Sequence, residues 1–326
     1  MKKFLVTGGA GFIGSHFIEA LLKDENQVIC LDDFNDFYNP QLKEKNIDGF
    51  RDNEKFTLVR GDIRDSKLVE ELLTRERPEV IVHLAARAGV RPSIREPKLY
   101  EEVNVAGTLN LLEASRLVGV KKFIFGSSSS VYGVNSKMPF SEGDSLLNSV
   151  SPYSATKIAG EALCNCYAHL YGFPIVSLRF FTVYGPRQRP DLAIRNFSQL
   201  MLQGKEITLF GKGDTARDYT FVEDIVCGIL SAVNYQPKKH EIFNLGNSEP
   251  IKLIELVEML EDVLGVKAKI KWEDEQPGDV PITYADLDKS GDLLGYKPQT
   301  TIKNGLKIFV EWIVNRKDYT QEQSND

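Results

Sequence analysis

Thr7-Gly8-Gly9-Ala10-Gly11-Phe12-Ile13-Gly14-Ser15 is the stretch whose reading decides the fold. The run 3–6 before it, apolar at Phe4, Leu5 and Val6, predicts a buried strand, and residues 16–22 after it predict a helix. Glycines 9, 11 and 14 fit G-x-G-x-x-G, and glycines 8, 11 and 14 fit G-x-x-G-x-x-G. Either spacing allows a tight turn, close approach of the backbone to a pyrophosphate, and close packing of helix on strand. A helix N-terminus then offers free N–H groups and partial positive charge to the phosphates. Gly8, Gly11, Phe12, Ile13 and Gly14 are the expected cradle. Asp32 ends a second apolar run, 28–31, at the spacing of about 20 residues where an acid meets the ribose 2′-OH. A carboxylate there repels a 2′-phosphate, so the reading is NAD rather than NADP.

Working outward, apolar runs recur at 4–6, 28–31, 56–59, 80–84, 123–125 and 175–178. Helical patterns at 11–22, 66–76, 100–117 and 151–171 lie between them. This alternation predicts an α/β fold with a doubly wound parallel (Rossmann) sheet. Ligands in such sheets sit beyond the carboxyl ends of the strands. That places Asp32, Asp62 with Ile63, Leu84-Ala85-Ala86 and Ser127–Ser130 around one crevice. Asp62 reads either as a partner for an adenine amino group or as an N-cap of the next helix. Arg87 and Arg91 are expected on a loop beside the cofactor. Past residue 180 the chain changes character and predicts a smaller, intertwined lobe. Residues 1–180, with contributions from about 218–246, are assigned to the nucleotide domain. Residues 181–217 and 247–316 form the second lobe, and 317–326 a frayed tail.

The net charge of −6 over 326 residues argues against nucleic acid as a general partner. No apolar run approaches the ~20 residues of a membrane span. A chain starting directly on a strand suggests no signal peptide. Cys30, Cys164, Cys166 and Cys227 lack C-x-x-C spacing and read as reduced, mostly buried thiols of a cytoplasmic protein. The four histidines are scattered, so no metal site is expected.

The chemistry concentrates in Ser127-Ser128-Ser129-Ser130-Val131-Tyr132-Gly133 and Tyr153-Ser154-Ala155-Thr156-Lys157. Tyr153 and Lys157 share one helix face at a spacing of four. Free tyrosine, with a pKa of ~10, is a poor base at neutral pH. A neighbouring ammonium and a nicotinamide cation favour the phenolate, making Tyr153 a candidate general base and acid. Lys157 also reaches toward the nicotinamide ribose, and Ser128 or a neighbour toward a substrate hydroxyl.

These residues, with Arg217-Asp218-Tyr219 and Gln276-Pro277-Gly278-Asp279, resemble the extended short-chain dehydrogenase/reductase family, in its nucleotide-sugar epimerase and dehydratase branch. The resemblance spans essentially the whole chain. It implies Ser128, Tyr153 and Lys157 as catalytic residues, Asp32 at the adenosine ribose and Arg217 facing the nucleotide diphosphate. It further implies a UDP-sugar substrate, tightly bound NAD regenerated in each cycle, and a homodimer formed through 100–117 and 151–171. Dehydratases and UDP-xylose-forming decarboxylases carry an acid where Ser129 and Ser130 stand, so C4 epimerisation is favoured. UDP-galactose 4-epimerases usually carry Asn where Thr182 stands. The segments 83–91 and 184–191 resemble the UDP-glucuronate 4-epimerases, and an acidic sugar needs a cationic partner. Arg189, then Arg187 and Arg91, are the candidates for its carboxylate. Ser128, Ser129, Ser130, Thr182, Arg87, Gln276 and Asp279 complete the expected substrate contacts. Many members carry Arg at the position of Gln276, which leaves the diphosphate contacts on that side open. A neutral UDP-hexose, a decarboxylation or dehydration, and a non-catalytic NAD-binding regulator are the alternatives.

Overall fold

A computed structural model describes residues 1–134, 137–146, 148–274 and 280–315. Gln276, Asp279 and the tail 317–326 lie outside the described residues. The first half runs β1 (Lys3–Thr7), α1 (Phe12–Lys23), β2 (Gln27–Asp32), α2 (Pro40–Ile47), β3 (Phe56–Arg60), α3 (Ser66–Glu76) and β4 (Val80–His83). Next come α4 (Val90–Arg95), α5 (Pro97–Glu101), α6 (Gly107–Val118), β5 (Lys122–Ser128), α7 (Pro152–Tyr171) and β6 (Ile175–Phe180). The remainder is β7 (Thr182–Tyr184), α8 (Ala193–Leu202), β8 (Glu206–Phe210), β9 (Ala216–Phe221), α9 (Val222–Asn234) and β10 (His240–Leu245). It closes with β11 (Pro250–Lys252), α10 (Leu253–Leu264), β12 (Lys269–Glu273), β13 (Ile282–Thr283), α11 (Asp288–Leu294) and α12 (Ile302–Asn315).

Seven strands form one parallel sheet in the order β10-β6-β5-β4-β1-β2-β3. Side chains alternate between its faces with the period of a strand. Phe4, Val6, Val28, Cys30, Val80, Val82 and Ile124 face α1 and α9. Leu5, Ile29, Leu31, Ile81, Phe123 and Phe125 face α3, α6 and α7. Both faces are covered, which is why these strands read as continuous apolar runs. The order reverses between β1 and β4, so a crevice opens beyond their carboxyl ends. This is the doubly wound Rossmann arrangement.

A third core, containing Tyr184, Phe197, Leu209, Phe221, Leu256 and Phe309, holds a second lobe. There β9 pairs with β7 and β13 in parallel and with β11 antiparallel, while β8 pairs with β12.

Several local expectations change. The helix expected over 100–117 is interrupted by a π-turn at Glu102–Ala106 between α5 and α6. Arg91 lies on α4 rather than on a loop. Pro92 sits within the first turn of α4, where its missing N–H breaks no helical bond. Arg217 lies within β9, which takes over the end of the segment read as a glycine-rich loop. Cys30 and Cys164 are buried, but Cys166 and Cys227 are exposed on α7 and α9, because their helix positions face away from the sheet. No described helix is long and apolar enough to cross a membrane.

Candidate active site

Three glycines of the β1–α1 turn are required by packing. Gly8 has φ +68°, and a Cβ there would lie 2.7 Å from the Ala85 nitrogen at the end of β4. A Cβ on Gly14 would lie 2.3 Å from the Gly8 oxygen, and one on Gly9 2.6 Å from Ile18. Gly11 caps α1 without a side chain, leaving the first turn of the helix open to a ligand. Asp32 is buried beneath this turn. Its Oδ2 accepts from the Ala10 N–H at 3.1 Å, and its Oδ1 accepts from the Phe34 N–H and from Lys43 Nζ at 3.0 and 2.9 Å. Sequence reasoning missed Lys43. The Asn39-Pro40 start of α2 was its one local signal, since Asn39 caps the helix that carries Lys43 back onto Asp32.

A cavity of about 500 Å³ opens over this turn, and Gly8, Gly11–Gly14, Asp32, Asp62, Ile63 and Leu84–Ala86 all line it. These residues fit a dinucleotide: a glycine cradle that side chains would fill, a helix start and a ribose-side carboxylate. Asp62 does not cap α3; Asp65 does, accepting from the Leu68 N–H, while Asp62 pairs with Arg64.

Ser128, Ser129, Ser130, Tyr153 and Lys157 line the same cavity. Ser151 caps α7 and Pro152 occupies its first turn, so the helix starts just before Tyr153. Ser154 Oγ donates to the Ser130 carbonyl at 2.7 Å, tying α7 to the end of β5. Lys157 Nζ donates to the Gly126 carbonyl at 2.6 Å, and burial lowers its pKa to about 8. Burial raises that of Tyr153, opposed by a hydrogen bond with Ser128 and by the charge of Arg189. Arg189 is thus a cation that acts on the phenol and that the sequence reading did not assign to it. Ser130 Oγ is buried without a partner among the described residues, a hydroxyl suited to a ligand.

On α7, Glu161 accepts from Arg179 Nε and Nη2 at 2.9 and 2.7 Å and from Ser127 Oγ at 2.6 Å. Asn104, on the π-turn, accepts from the Arg87 N–H and donates to the Arg87 carbonyl and to Thr156, fixing the chain after β4 against α7.

A second cavity, about 760 Å³, lies in the smaller lobe. It shares Thr182, Leu192, Arg217 and Val280 with the first. Arg91 lines this second cavity, its guanidinium 4.6 Å from the Phe210 ring centroid. Arg87 and Arg189 line the first, and both lie over Phe37, at 5.7 and 5.4 Å. Arg187 is not brought to either cavity: it pairs with Glu19 of α1 at 2.7 Å.

The sequence matches the family described as GDP-mannose 4,6 dehydratase over residues 5–309. It is 43% identical over 333 residues to UDP-glucuronate 4-epimerase 1 of Arabidopsis thaliana, across 97% of this chain and 77% of that protein. The fold is similar to that of UDP-glucuronic acid 4-epimerase from Bacillus cereus, solved in complex with UDP-glucuronic acid and NAD. The TM-score is 0.91 at 38% identity, covering 96% of this chain and 99% of that one. UDP-glucose 4-epimerase from Thermotoga maritima, solved with UDP-glucose, gives 0.89 at 34% identity, with coverage of 96% and 99%. With its glycine cradle, Tyr153 and Lys157 on one helix face, and a match over nearly its whole length, the chain belongs to the GDP-mannose 4,6 dehydratase family of extended short-chain dehydrogenases/reductases.

Proposed function

We propose that the protein catalyses the NAD-dependent C4 epimerisation of UDP-glucuronate to UDP-galacturonate. The observation that carries this reading is Arg189 and Tyr153 in one cavity with the glycine cradle, beside serines rather than an acid at 129 and 130. In the reading, Gly8, Gly11, Phe12, Ile13 and Gly14 hold the pyrophosphate, Asp32 the adenosine ribose, and Asp62 with Ile63 the adenine. Leu84, Ala85 and Ala86 lie along the cofactor. Arg217 takes the diphosphate where the two cavities join, and the uridine enters the second.

Bound NAD supplies a hydride acceptor and donor at C4. Tyr153 removes the proton of the 4-hydroxyl, with Ser128 sharing the hydrogen bond, and later returns it. Lys157 holds the nicotinamide ribose. Ser129, Ser130, Thr182 and Arg189 contact the sugar. Oxidation at C4 turns a uronic acid into a β-keto acid, which loses carbon dioxide when the carboxylate bond stands across the ketone plane. A cation gripping the carboxylate restrains that geometry.

Leu109, Leu117, Leu170 and Tyr171 are exposed on α6 and α7 and support a homodimer through these helices. Parallel assays on UDP-glucuronate and UDP-glucose test the substrate. The reading expects faster conversion of the acid, to a product of unchanged mass. Exclusive use of UDP-glucose overturns the acidic-sugar assignment, and loss of carbon dioxide assigns a decarboxylase instead.

A further inference from the structure

Tyr153, Lys157 and Glu161 fall one helical turn apart along α7. The proposed chemistry uses the first two and leaves the third without a task. Lys157, Glu161 and Arg179 are all buried. Gly160 lets the helix sit this low on β5, since a Cβ there would collide with the Phe125 ring. Lys157 donates to the Gly126 carbonyl, and Glu161 accepts from the hydroxyl of the next residue, Ser127. Ser127 lies opposite Arg179 of β6 in the parallel register, so the one carboxylate spans both strands.

A lone buried ammonium is costly. Burial lowers the pKa of Lys157, and the charge of Glu161 is the leading influence that raises it. The other groups packed around Lys157 do not supply that charge. His83 of β4 is held neutral, its pKa lowered to about 3 by burial and then by Lys157 itself. Burial pushes the Cys164 thiol, two turns along α7, far up. Burial also raises the Tyr153 phenol. Arg179 is a cation, and it meets the cluster through Glu161. An ammonium has three donors, one of which the Gly126 carbonyl takes. Facing a nicotinamide ring, its charge favours the neutral reduced ring over the cationic oxidised one.

We propose that Glu161 is a positioning residue of the active site: braced by Arg179 and Ser127 one turn beyond Lys157, it supplies the negative charge that holds Lys157 as an ammonium toward the cofactor. This rests on the role given to Lys157 above.

The test substitutes Glu161→Gln, which keeps an acceptor for Ser127 and removes the charge. The holoprotein, in a Tyr153→Phe background so that this phenol does not titrate, is equilibrated with mixtures of NAD and NADH across a pH series. Fluorescence of the reduced ring gives the bound ratio. The preference for NADH falls as Lys157 loses its proton, and Lys157→Met abolishes that fall. Glu161→Gln moves the midpoint down by about one pH unit or more, the effect of a lost opposite charge at close range. That variant strands Arg179, so Glu161→Gln is also combined with Arg179→Met, which leaves no unpaired buried charge. The double variant keeps the lowered midpoint. With Tyr153 restored, the alkaline fall in kcat on UDP-glucuronate moves down by the same amount.

An unshifted midpoint in Glu161→Gln, or one that returns to the wild-type value in the double variant, means that Glu161 only braces the fold, and overturns the proposal. A fall that survives Lys157→Met overturns it at its premise. If the unsubstituted protein leaves UDP-glucuronate unconverted, the substrate reading falls, while the cofactor titration still decides the role of Glu161.

Discussion

Arg187 pairs with Glu19 at 2.7 Å, binding the loop after β7 to the helix that starts at the glycine turn. His16 of the same helix donates to the Pro186 carbonyl at 2.9 Å. Arg187 is thus a tether, while Arg189, two residues on, faces the cavity.

The two arginines should therefore respond differently to truncation. Arg187→Ala removes a partly exposed pair worth about 0–1 kcal/mol, and should change KM for UDP-glucuronate by less than about threefold. Arg189→Ala removes a charge-assisted contact worth about 1.5–3 kcal/mol, and should raise KM by roughly tenfold or more. It should also release pentose product. Steady-state kinetics with chromatographic separation of products checks both, and equal effects from the two variants would contradict the assignment.

Tyr153→Phe should fold, retain NAD and lose turnover by about 10²–10⁴-fold, the range for a positioned proton-transfer group. Circular dichroism, absorbance of released cofactor and a coupled rate assay report the three properties. Near-normal turnover would remove Tyr153 from its role.

Gly14→Ala places a methyl group 2.3 Å from the Gly8 oxygen, against backbone that cannot swing away. A loss of about 1–3 kcal/mol in stability is expected from such overpacking. The purified variant should carry little NAD. Full cofactor content with an unchanged melting temperature would argue against the cradle.

Three of the four histidines, His83 buried and His16 and His240 partly so, have lowered pKa values, His16 and His240 to about 4 and His83 to about 3, with desolvation the leading cause in each. In the unfolded chain they take up protons near pH 6.5. Their contribution to stability is complete above that pH. As pH falls from 6.5 toward 4, the unfolded state gains up to three protons that the folded state refuses. Stability should drop by roughly 1.4 kcal/mol per pH unit for each histidine. Urea midpoints at pH 7.5, 6 and 5 measure the slope, and a flat profile would contradict it.

The glycine turn, Asp32 and the Tyr153–Lys157 face were legible because each depends on short-range spacing along one element. The parallel sheet was legible because strands covered on both faces become unbroken apolar runs. Lys43, Phe37 and Asp191 were not, since only the folded chain sets Lys43 of α2 on Asp32, brings Phe37 to Arg87 and Arg189, and pairs Arg189 with Asp191. Nothing in the sequence separated Arg187 from Arg189, whose difference lies in Glu19, far away along the chain. The break in the helix at Glu102–Ala106 was hidden because its residues continue a helical pattern.

The most direct test of the central claim is proton NMR of the purified protein with UDP-glucuronate and no added cofactor. The account predicts that UDP-galacturonate signals grow to an equilibrium mixture, with the sugar carboxylate retained. A spectrum that stays unchanged even after NAD is supplied, or one that shows only pentose, would contradict it.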